Sequence, residues 1–360
     1  MLIDLISGTR PNFVKIASLI KAKEKVSCSF NFRLIHTGQH YDDKLSKVFF
    51  KELEIPEPDI NLNVGSKSHA SQVGHIMIEY EKILTKNASR MCIVVGDVNS
   101  TMACAITAKK SNIEVAHVEG GIRSNDLTMP EEINRIVTDS ISDYFFTTSK
   151  HANENLLKHG ISDNKIFYVG NTMIDTLLEN INKLKKPLIF DENKLNKNYL
   201  VLTMHRPANV DSIEAFEKKI NAILSSSQNL KVIFPVHPRT KKSIKFINNI
   251  SNRLICIDPL PYLEFNYLVM HSLGVITDSG GITEEASVLK IPCLTMRDNT
   301  ERPETIEVGT NVLVGSDPKD LSNYINKMIT NNWKESAIPD KWDGKSGDRI
   351  IKIIDRLVKN

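Results

Sequence analysis

Five short polar segments, each directly after a run of apolar residues, carry the side chains of this sequence that could do chemistry. They are residues 8–11, 96–101, 117–123, 204–207 and 277–285. Their carboxylates and imidazoles could transfer protons, and their arginines could neutralise phosphate oxygens. At any single junction a turn or a helix cap explains the polar residues equally well. Five such junctions in one chain favour a functional site.

Proton transfer is the first chemistry that these residues predict. The candidate acid and base groups are Asp97, Glu119, Glu131 and His205. Several carboxylates and one imidazole in a cleft suit acid–base catalysis. Two of these positions also have a structural explanation. Glu131 follows Pro130 in the first turn of a predicted helix, where acidic side chains interact favourably with the helix dipole, and His205 could be a satisfied histidine at a strand end.

Phosphate binding is the second predicted chemistry. Residues 279–281 (Ser-Gly-Gly) lie between a predicted strand and an apolar helix, so their backbone N–H groups could bind a phosphate at the positive end of that helix. Glu285 follows one turn later, where its carboxylate could accept hydrogen bonds from two ribose hydroxyls. Arg10 and Arg302 could neutralise phosphate oxygens, although each could equally be a solvated surface arginine. A glycine-containing turn capped by Ser279 is the structural alternative.

Several known cofactor motifs are absent from the sequence. The dinucleotide fingerprint Gly-x-Gly-x-x-Gly does not occur, and residues 344–346 (Gly-Lys-Ser) fail as a P-loop because Pro339 stands where the leading glycine belongs. The chain has no Cys-x-x-Cys pair, and no set of His, Cys and carboxylate residues has a recognised local metal spacing. The sequence therefore predicts neither a cofactor nor a metal.

The elements that must position these groups alternate along the whole chain. Short runs rich in β-branched residues alternate with segments of helical period, which is typical of parallel sheets covered by helices, so the predicted fold class is α/β. The predicted strands are residues 1–6, 32–36, 91–95, 115–118, 144–147 and 166–169, then 200–204, 232–236, 254–257, 274–277, 293–295 and 312–314. Predicted helices include 42–51, 71–84, 101–110 and 282–289. Rossmann-type sheets bind ligands beyond the carboxyl ends of their strands, where the five polar segments fall.

Length and composition predict two domains. The 360 residues exceed one comfortable hydrophobic core. A polar, Lys- and Asn-rich stretch at residues 179–198 is the expected connection between a first domain of residues 1–178 and a second of residues 199–345. Apolar residues at helical spacing predict that the last segment, residues 346–360, forms an amphipathic helix.

The charge balance and the cysteines limit the kinds of binding partner and the cellular location that we expect. The 46 Lys and Arg residues against 43 Asp and Glu give a net charge of +3 without a long basic block, so neither nucleic acid nor a membrane surface is expected as a partner. Five cysteines, mostly in apolar runs, are expected to be reduced core thiols. The chain begins with a predicted strand, without the features of a secretion signal or an apolar run of membrane-spanning length, so we expect a cytoplasmic protein.

Ten ordered motifs resemble those of the non-hydrolysing UDP-N-acetylglucosamine 2-epimerases and cover almost the whole chain. In order they are residues 8–11 (Gly-Thr-Arg-Pro) with Lys15, 36–42 (His-Thr-Gly-Gln-His-Tyr-Asp), 96–97 (Gly-Asp), 117–119 (His-Val-Glu), 130–135 (Pro-Glu-Glu-Ile-Asn-Arg), 170–172 (Gly-Asn-Thr), 205–206 (His-Arg), 235–238 (Pro-Val-His-Pro), 278–285 and 297–304. Ten matches in the same order are not expected by chance.

This resemblance implies a GT-B architecture, in which two Rossmann-like domains face each other across a cleft and the last helix packs back on the first domain. It also implies a homodimer and the reversible conversion of UDP-N-acetylglucosamine to UDP-N-acetylmannosamine, a precursor of surface polysaccharides. In the mechanism that the family suggests, UDP leaves the anomeric carbon as a base removes the C2 proton. A 2-acetamidoglucal forms, and UDP then adds back with protonation on the opposite face of C2.

The resemblance assigns roles residue by residue. Asp97, Glu119, Glu131 and His205 correspond to the catalytic group of the family. The positions that correspond to substrate and UDP contacts are Arg10, Lys15, His237, Phe265, Ser279, Gly280, Gly281, Glu285 and Arg302.

Two departures from the well-known bacterial pattern leave the exact substrate and activity open. The segment between the His-Val-Glu and Pro-Glu-Glu motifs is shorter, and residues 39–42 (Gln-His-Tyr-Asp) replace a segment that helps to bind a second UDP-sugar in allosteric members. The shorter form also resembles relatives that act on 6-deoxy or uronate UDP-sugars. The motifs are also compatible with a hydrolysing epimerase, a GT-B glycosyltransferase with an acceptor site, and a catalytically silent UDP-sugar sensor.

Overall fold

The computed structural model describes residues 1–38, 43–245, 251–315 and 318–359, with only the backbone described at residues 43–47 and 318. The chain divides into two compact units. The first comprises Met1–Glu179 and Asp340–Asn360, and the second comprises Asn180–Pro339. Both are α/β, which confirms the predicted fold class.

Within the described residues of the first unit, seven strands form one parallel sheet. They are β1 (Leu2–Ser7), β2 (Asn31–His36), β3 (Ile60–Asn61), β4 (Met91–Val95), β5 (Glu114–Val118), β6 (Tyr144–Thr147) and β7 (Ile166–Tyr168). Their order is β3-β2-β1-β4-β5-β6-β7, so the chain crosses back from the edge strand β3 to lie beside β1. Ligands of such sheets bind where the strand order reverses, at the carboxyl ends of β1 and β4. The two-residue β3 is the strand that the sequence pattern did not predict.

Where the second unit is described, six strands form a sheet of the same kind. They are β8 (Tyr199–Thr203), β9 (Lys231–Pro235), β10 (Leu254–Ile257), β11 (Gly274–Thr277), β12 (Cys293–Thr295) and β13 (Asn311–Leu313). Their order is β10-β9-β8-β11-β12-β13, which places the reversal at β8 and β11. Alternate residues of β8 enter two different hydrophobic clusters: Leu200 and Leu202 pack in one, Tyr199 and Val201 in the other. This sheet is therefore buried on both faces, as a parallel sheet requires.

The helices lie between these strands along the chain, as the crossover connections of parallel sheets require. They are α1 (Arg10–Lys25), α2 (Asp43–Glu52), α3 (His69–Lys86), α4 (Asn99–Lys110), α5 (Pro130–Ile141), α6 (Lys150–Lys158), α7 (Thr172–Asn180), α8 (Leu188–Glu192), α9 (Pro207–Val210), α10 (Ile213–Ser226), α11 (Lys241–Ile244), α12 (Tyr262–Met270), α13 (Gly280–Leu289), α14 (Pro303–Glu307), α15 (Pro318–Ile329) and α16 (Ser346–Lys359). Short 3₁₀ turns occupy Asp163–Lys165 and Ile181–Lys183. None of the helices in the described ranges combines the length and apolar character needed to cross a membrane.

Local capping ties α1 to the end of β4. The Asn12 Oδ1 atom accepts hydrogen bonds from the N–H groups of Thr9 (3.0 Å) and Gly8 (3.3 Å), which otherwise lack partners at a helix start. The Asn12 amide donates to the Val95 carbonyl at 2.9 Å. Residues 8–11 and 96–97, both predicted to belong to the site, are therefore held at the same edge of the first sheet.

The chain returns to the first unit at residue 340. The Trp342 side chain is buried there and donates its indole N–H to the Thr148 carbonyl at 3.1 Å. Residues 340–345 consequently belong to the first unit, whereas the sequence-based limits placed them in the second domain. Domain limits predicted from sequence are often inaccurate near the end of a chain, because a single buried aromatic side chain can decide which hydrophobic core a loop joins.

Helix α16 packs against α1 in the first unit. The contact is so close that a Cβ atom at Gly347 would lie 2.6 Å from Ser18 Oγ. The Asp175 Oδ2 atom accepts hydrogen bonds from the Gly347 N–H (2.7 Å) and the Ser18 hydroxyl (2.9 Å). These contacts fasten the start of the helix to α1 and α7.

The predicted connection at residues 179–198 belongs largely to the second unit. Its helix α8 places the Phe190 ring 6.0 Å from the Tyr199 ring, edge to face. Phe190 packs against the core of that unit, so the segment is more than a solvated linker.

The cysteines are thiols in this fold. Cys92, Cys104 and Cys293 are buried, Cys28 is half-buried and Cys256 is exposed on β10. The expectation of core thiols therefore holds for the cysteines of β4, α4 and β12.

Candidate active site

A buried ion pair lies at the carboxyl edge of the first sheet. Glu119 directly follows β5, and its carboxylate accepts a hydrogen bond from the ammonium group of Lys15 on α1. Glu119 is only 3% exposed, and its φ of +72° lies in the left-handed region. A non-glycine residue in that region costs roughly 1–2 kcal/mol. A strained, buried carboxylate of this kind is typical of a functional position, and Glu119 is one of the residues predicted to be catalytic.

Gly96 provides the space for this ion pair. Its N–H donates to the Val118 carbonyl at 3.0 Å, which fastens the end of β4 to the end of β5. Its own φ is +70°, and a Cβ atom there would lie 3.2 Å from Lys15 Nζ and 3.5 Å from Glu119 Oε2. Glycine is therefore required both by the backbone conformation and by the side chains it faces.

His117 supports the same loop from the interior of the unit. It is completely buried, with Nε2 2.8 Å from the Gly96 carbonyl oxygen and Nδ1 2.6 Å from Asp139 Oδ1. These two contacts fix the orientation of the imidazole ring. Arg123 also donates to Asp139, at 2.6 Å. Burial alone would raise the pKa of Asp139, but His117 and Arg123 hold it below its ordinary value.

Asp97 belongs to a second charged network. Its half-buried carboxylate lies 2.5 Å from Arg135 Nη2, and Arg135 Nη1 lies 2.7 Å from Glu132 Oε2. The buried Glu132 also accepts hydrogen bonds from the N–H groups of Ser124 (2.9 Å) and Asn125 (3.0 Å). Burial opposes ionisation of Glu132, yet these hydrogen bonds and Arg135 hold its pKa below the ordinary value.

Glu131 and Glu132 have opposite environments although they are neighbours in the first turn of α5. Glu131 is exposed and Glu132 is buried. The fold of the first unit thus brings Asp97, Glu119 and Lys15 to one edge of the sheet and leaves Glu131 in solvent. The catalytic role of Glu131 stays a prediction.

Arg10 begins α1 at the same edge of the sheet. It is half-buried, and its guanidinium carbon lies 6.0 Å from the centroid of the Phe49 ring. This cation–π geometry orients the side chain while the guanidinium keeps its charge.

In the second unit, Asp278 organises the end of β8 from the end of β11. It is completely buried and accepts hydrogen bonds from the N–H groups of His205 (3.0 Å) and Arg206 (2.9 Å) and from the Asn209 amide (3.0 Å). His205 Nδ1 lies 2.9 Å from Asp278 Oδ1. Burial alone would raise the pKa of Asp278, but these hydrogen bonds, led by His205, lower it to about 2. Asp278 therefore orients the imidazole ring, and Nδ1 is the nitrogen that faces the carboxylate.

Helix α13 begins beside this carboxylate with an uncapped N-terminus. The Ser279 side chain makes no capping hydrogen bond, so N–H groups of the first turn lack an intrahelical acceptor. A Cβ atom at Gly280 would lie 2.5 Å from Glu301 Oε1, so a larger residue there would displace the Glu301 side chain. A helix start with these properties suits an anion.

Two further predicted residues are buried on or beside α13. Asn266 donates to Glu285 Oε1 at 3.5 Å. Burial raises the pKa of Glu285 to about 7, although hydrogen bonds from Tyr262 and Asn266 oppose that rise. Arg302 Nε donates to Glu284 Oε1 at 2.7 Å, and both side chains are buried. The predicted nucleotide contacts are thus prearranged within the second unit.

The remaining predicted contacts lie at the surface of the same unit. The exposed His237 ring lies 5.3 Å from the His205 ring. Phe265, on α12, is half-buried against the core. Residues 39–42 of the second motif lie outside the described residues.

Sequence reasoning missed several charged residues that the structure places at the site. They are His117, Arg123, Glu132, Arg135, Asp139, Arg297 and Glu301. The pair Glu132 and Arg135 had a local signal, since residues three apart on a helix share a face. The partners of His117 had none, because Asp139 lies 22 residues further along the chain.

The protein has two parallel-sheet α/β domains. Acid and base groups follow the strands of one domain, and an uncapped helix N-terminus follows a strand of the other. Together these features define a GT-B-type enzyme. Comparison with known proteins is more specific. The family model described as UDP-N-acetylglucosamine 2-epimerase matches residues 22–355. The chain belongs to this family, and it is accordingly an isomerase.

Individual relatives agree with that assignment. A UDP-N-acetylglucosamine 2-epimerase of Methanocaldococcus jannaschii is 43% identical, with 98% of this chain and 99% of that protein covered. A crystal structure of the M. jannaschii UDP-GlcNAc 2-epimerase, in complex with UDP-GlcNAc and UDP, has a TM-score of 0.89 at 42% identity and covers 99% of this chain and 100% of that one. A UDP-2,3-diacetamido-2,3-dideoxy-D-glucuronate 2-epimerase of Pseudomonas aeruginosa is 36% identical over 88% of this chain and 89% of that protein.

Proposed function

We propose that this protein interconverts UDP-N-acetylglucosamine and UDP-N-acetylmannosamine by epimerisation at C2. The observation that carries the proposal is Glu119, a buried carboxylate held by Lys15 in strained backbone at the ligand-binding edge of the first sheet. The similarity to the M. jannaschii enzyme, whose crystal structure contains UDP-GlcNAc and UDP, supports this substrate.

The reaction begins with elimination of UDP. The C2 proton is not adjacent to a carbonyl, so its removal requires the anomeric carbon to become electron-poor as the diphosphate leaves. One carboxylate accepts the C2 proton while the C1–O bond breaks, and a 2-acetamidoglucal and UDP result. UDP then adds back to C1 as a proton is delivered to the opposite face of C2.

The acid–base groups of this proposal are those that the family resemblance assigns. Asp97, Glu119, Glu131 and His205 supply proton donors and acceptors for the two faces of C2. The ion pair with the Lys15 ammonium holds the Glu119 carboxylate in position. Asp278 fixes the tautomer of His205, as carboxylates do for catalytic histidines.

The UDP moiety binds to the second unit in this proposal, and the family resemblance also assigns a UDP contact to Arg10. The diphosphate lies at the N-terminus of α13, where N–H groups of residues 279–281 and the Arg302 side chain stabilise its charge. Glu285 accepts hydrogen bonds from the ribose hydroxyls. His237 and Phe265 contact the nucleotide at the surface of the same unit.

The cellular setting follows from the family resemblance. It supports a cytoplasmic homodimer that supplies UDP-N-acetylmannosamine for surface polysaccharide synthesis. Neither nucleic acid nor a membrane is a partner in this proposal.

Incubation with UDP-N-acetylglucosamine in deuterium oxide, followed by NMR, tests the reaction. We expect deuterium at C2 of both epimers, with UDP still attached, because the removed proton exchanges with solvent before its return. Release of free N-acetylmannosamine would instead indicate a hydrolysing epimerase. Lack of exchange without an acceptor would contradict epimerisation and favour a glycosyltransferase or a silent sensor.

A second candidate substrate is a modified UDP-sugar. The observation that favours it is the 36% identity to the P. aeruginosa enzyme named for a diacetamido glucuronate. The same deuterium experiment with a UDP-2-acetamido uronate and a 6-deoxy analogue distinguishes the two. Incorporation into either analogue, without incorporation into UDP-N-acetylglucosamine, would change the substrate and leave the reaction unaltered.

A further inference from the structure

Arg297 has a tightly held backbone at the ligand-binding edge of the second sheet. It lies two residues after β12, where its N–H donates to the Thr295 carbonyl at 3.0 Å. Its own carbonyl accepts from the Gly315 N–H at 3.1 Å, beyond the end of β13. The residue is only 7% exposed.

One edge of the Arg297 guanidinium is fully engaged. Nη2 lies 2.6 Å from Glu301 Oε2 and donates to Asn299 Oδ1 at 3.2 Å. Arg206 approaches the other carboxylate oxygen of Glu301, at 3.9 Å. Two guanidinium groups thus share one carboxylate.

The other edge has no such partner. Nη1 of Arg297 is buried and makes no hydrogen bond to any atom of the described chain. A buried N–H donor that loses its water without gaining an acceptor destabilises a fold. Native structures retain such groups mainly where a ligand, water or ion completes them.

The unused edge faces the start of α13. Nη1 lies 4.0 Å from the position that a Cβ atom of Gly280 would occupy. The N-terminus of α13 has no cap from Ser279, so backbone donors, a helix dipole and a guanidinium edge meet at one point. These are the groups that bind a phosphate with charge-assisted hydrogen bonds.

We propose that Arg297 binds the diphosphate of the nucleotide through Nη1, and that Glu301 orients its guanidinium for this contact. The inference rests on the proposed function and adds a binding residue to it. An ion pair that served the fold alone would explain the contacts of Nη2 but would leave Nη1 without a role.

The test is the substitution Arg297→Lys, which keeps a cation opposite Glu301 but removes the second donor edge. Binding of UDP and of uridine is followed by ligand-observed NMR titration. We expect UDP affinity to fall roughly 10-fold or more, as the loss of a charge-assisted hydrogen bond predicts. Uridine affinity stays within about 2-fold, because uridine lacks the phosphates. Pyrophosphate, which competes with UDP on the wild-type protein, competes less well with the variant.

A second variant guards against a folding defect. The pair Arg297→Gln with Glu301→Gln removes the buried ion pair as a unit, so neither of these two positions is left with an unpaired buried charge. It should show the same selective loss of UDP affinity. Arg239→Lys is the matched control, because Arg239 is exposed and pairs with Asp211 on the surface of the same unit. That control should bind UDP as the wild type does.

Each outcome of these binding experiments either supports or overturns the role of Arg297. Selective loss of UDP and pyrophosphate affinity supports the role of Arg297. Unchanged UDP affinity in both variants, or equal loss of UDP and uridine, would overturn it while the proposed function stands. A wild-type protein that binds no UDP would contradict the proposed function itself, and this inference with it.

Discussion

The two units treat buried carboxyl groups in opposite ways. Asp139 of the first unit lies between His117 and Arg123, and its pKa falls below the ordinary value. Glu285 of the second unit is equally buried, and burial raises its pKa to about 7. The hydrogen bonds that oppose this rise come from the neutral side chains of Tyr262 and Asn266. Burial acts in the same direction on both groups, so the neighbouring cations decide the sign.

The same contrast extends to the arginines. In the first unit, Arg135 joins Asp97 and Glu132 with both of its terminal nitrogens. In the second unit, Arg297 uses only one of its terminal nitrogens. Both terminal nitrogens of Arg135 thus have carboxylate partners within the fold, which suits groups held in fixed positions. The second site keeps an unused donor for an anionic ligand, as the proposed nucleotide site requires.

The largest expected effect comes from breaking the balanced pair of the first unit. Glu119→Gln removes the charge that Lys15 neutralises and one of the proposed proton acceptors. We expect kcat for epimerisation to fall about 10³-fold, within the usual range for an acid–base residue. UDP binding should remain measurable, because the nucleotide contacts lie elsewhere in the proposal. Steady-state kinetics and UDP titration check both statements.

Glu114→Gln is the matched control for this change. Glu114 starts the same strand, β5, but pairs at the other end with Arg90, at 2.5 Å. Its loss should leave kcat within about 2-fold, since exposed ion pairs contribute little. If Glu119→Gln retained wild-type turnover, Glu119 would be removed from the mechanism.

The next effect concerns the unbalanced carboxyl of the second unit. Because the folded pKa of Glu285 lies above the ordinary 4.5, its stabilising contribution is complete below pH 4.5 and is lost as the pH rises through about 7. That difference corresponds to about 3 kcal/mol. We therefore expect Glu285→Gln, relative to the wild type, to gain up to about 3 kcal/mol in free energy of unfolding between pH 4.5 and pH 8. Urea denaturation of the ligand-free protein measures it.

For Asp278→Asn, we expect the free energy of unfolding relative to the wild type to change with pH in the opposite direction. The folded pKa of Asp278 is about 2 against an ordinary 3.8, so its stabilisation is present above pH 3.8 and is lost as the pH falls towards 2. At pH 7 this substitution should lower the free energy of unfolding by about 2 kcal/mol. Equal responses of the two variants would show that cation pairing does not separate these carboxyl groups.

The smallest expected effect comes from filling the space beside the Lys15–Glu119 ion pair of the first unit. Gly96→Ala forces a φ of +70° on alanine and places its Cβ 3.2 Å from Lys15 Nζ. We expect a loss of about 1–2 kcal/mol in unfolding free energy and a fall in kcat as Lys15 moves. In Gly74→Ala, on α3, the new Cβ meets nothing within 4 Å, so helix propensity should stabilise the protein by up to about 1 kcal/mol. Thermal denaturation compares the two, and a neutral Gly96→Ala would argue against a tight fit.

Much of the fold was accessible from local pattern. The predicted strands after residue 60 lie within one residue of the observed ones, because a fully buried parallel strand is a short apolar run between polar turns. The boundaries of α3 were less accurate, since the helix starts at His69 after the Ser68 cap, two residues before the predicted start. The two-residue β3 carries too few side chains for any period to appear.

The candidate site was accessible in part for the same reason. Asp97, Glu119, His205 and Asp278 all follow strands, so their place at a sheet edge is a consequence of sequence position. The side chains with which these residues pair cannot be read from sequence position. Lys15 and Glu119 are 104 residues apart, and nothing in either segment indicates the other.

The sequence by itself determined the two parallel sheets, the edge at which each binds ligands and the family, because these depend on short-range pattern and on ordered motifs. Tertiary structure alone decided which carboxyl groups have raised or lowered pKa values, that Glu132 rather than Glu131 is buried, and that Arg297 keeps one edge unused. These properties depend on burial and on distances between side chains remote in the chain. Electrostatic free energy varies with both, and neither is encoded within a single segment.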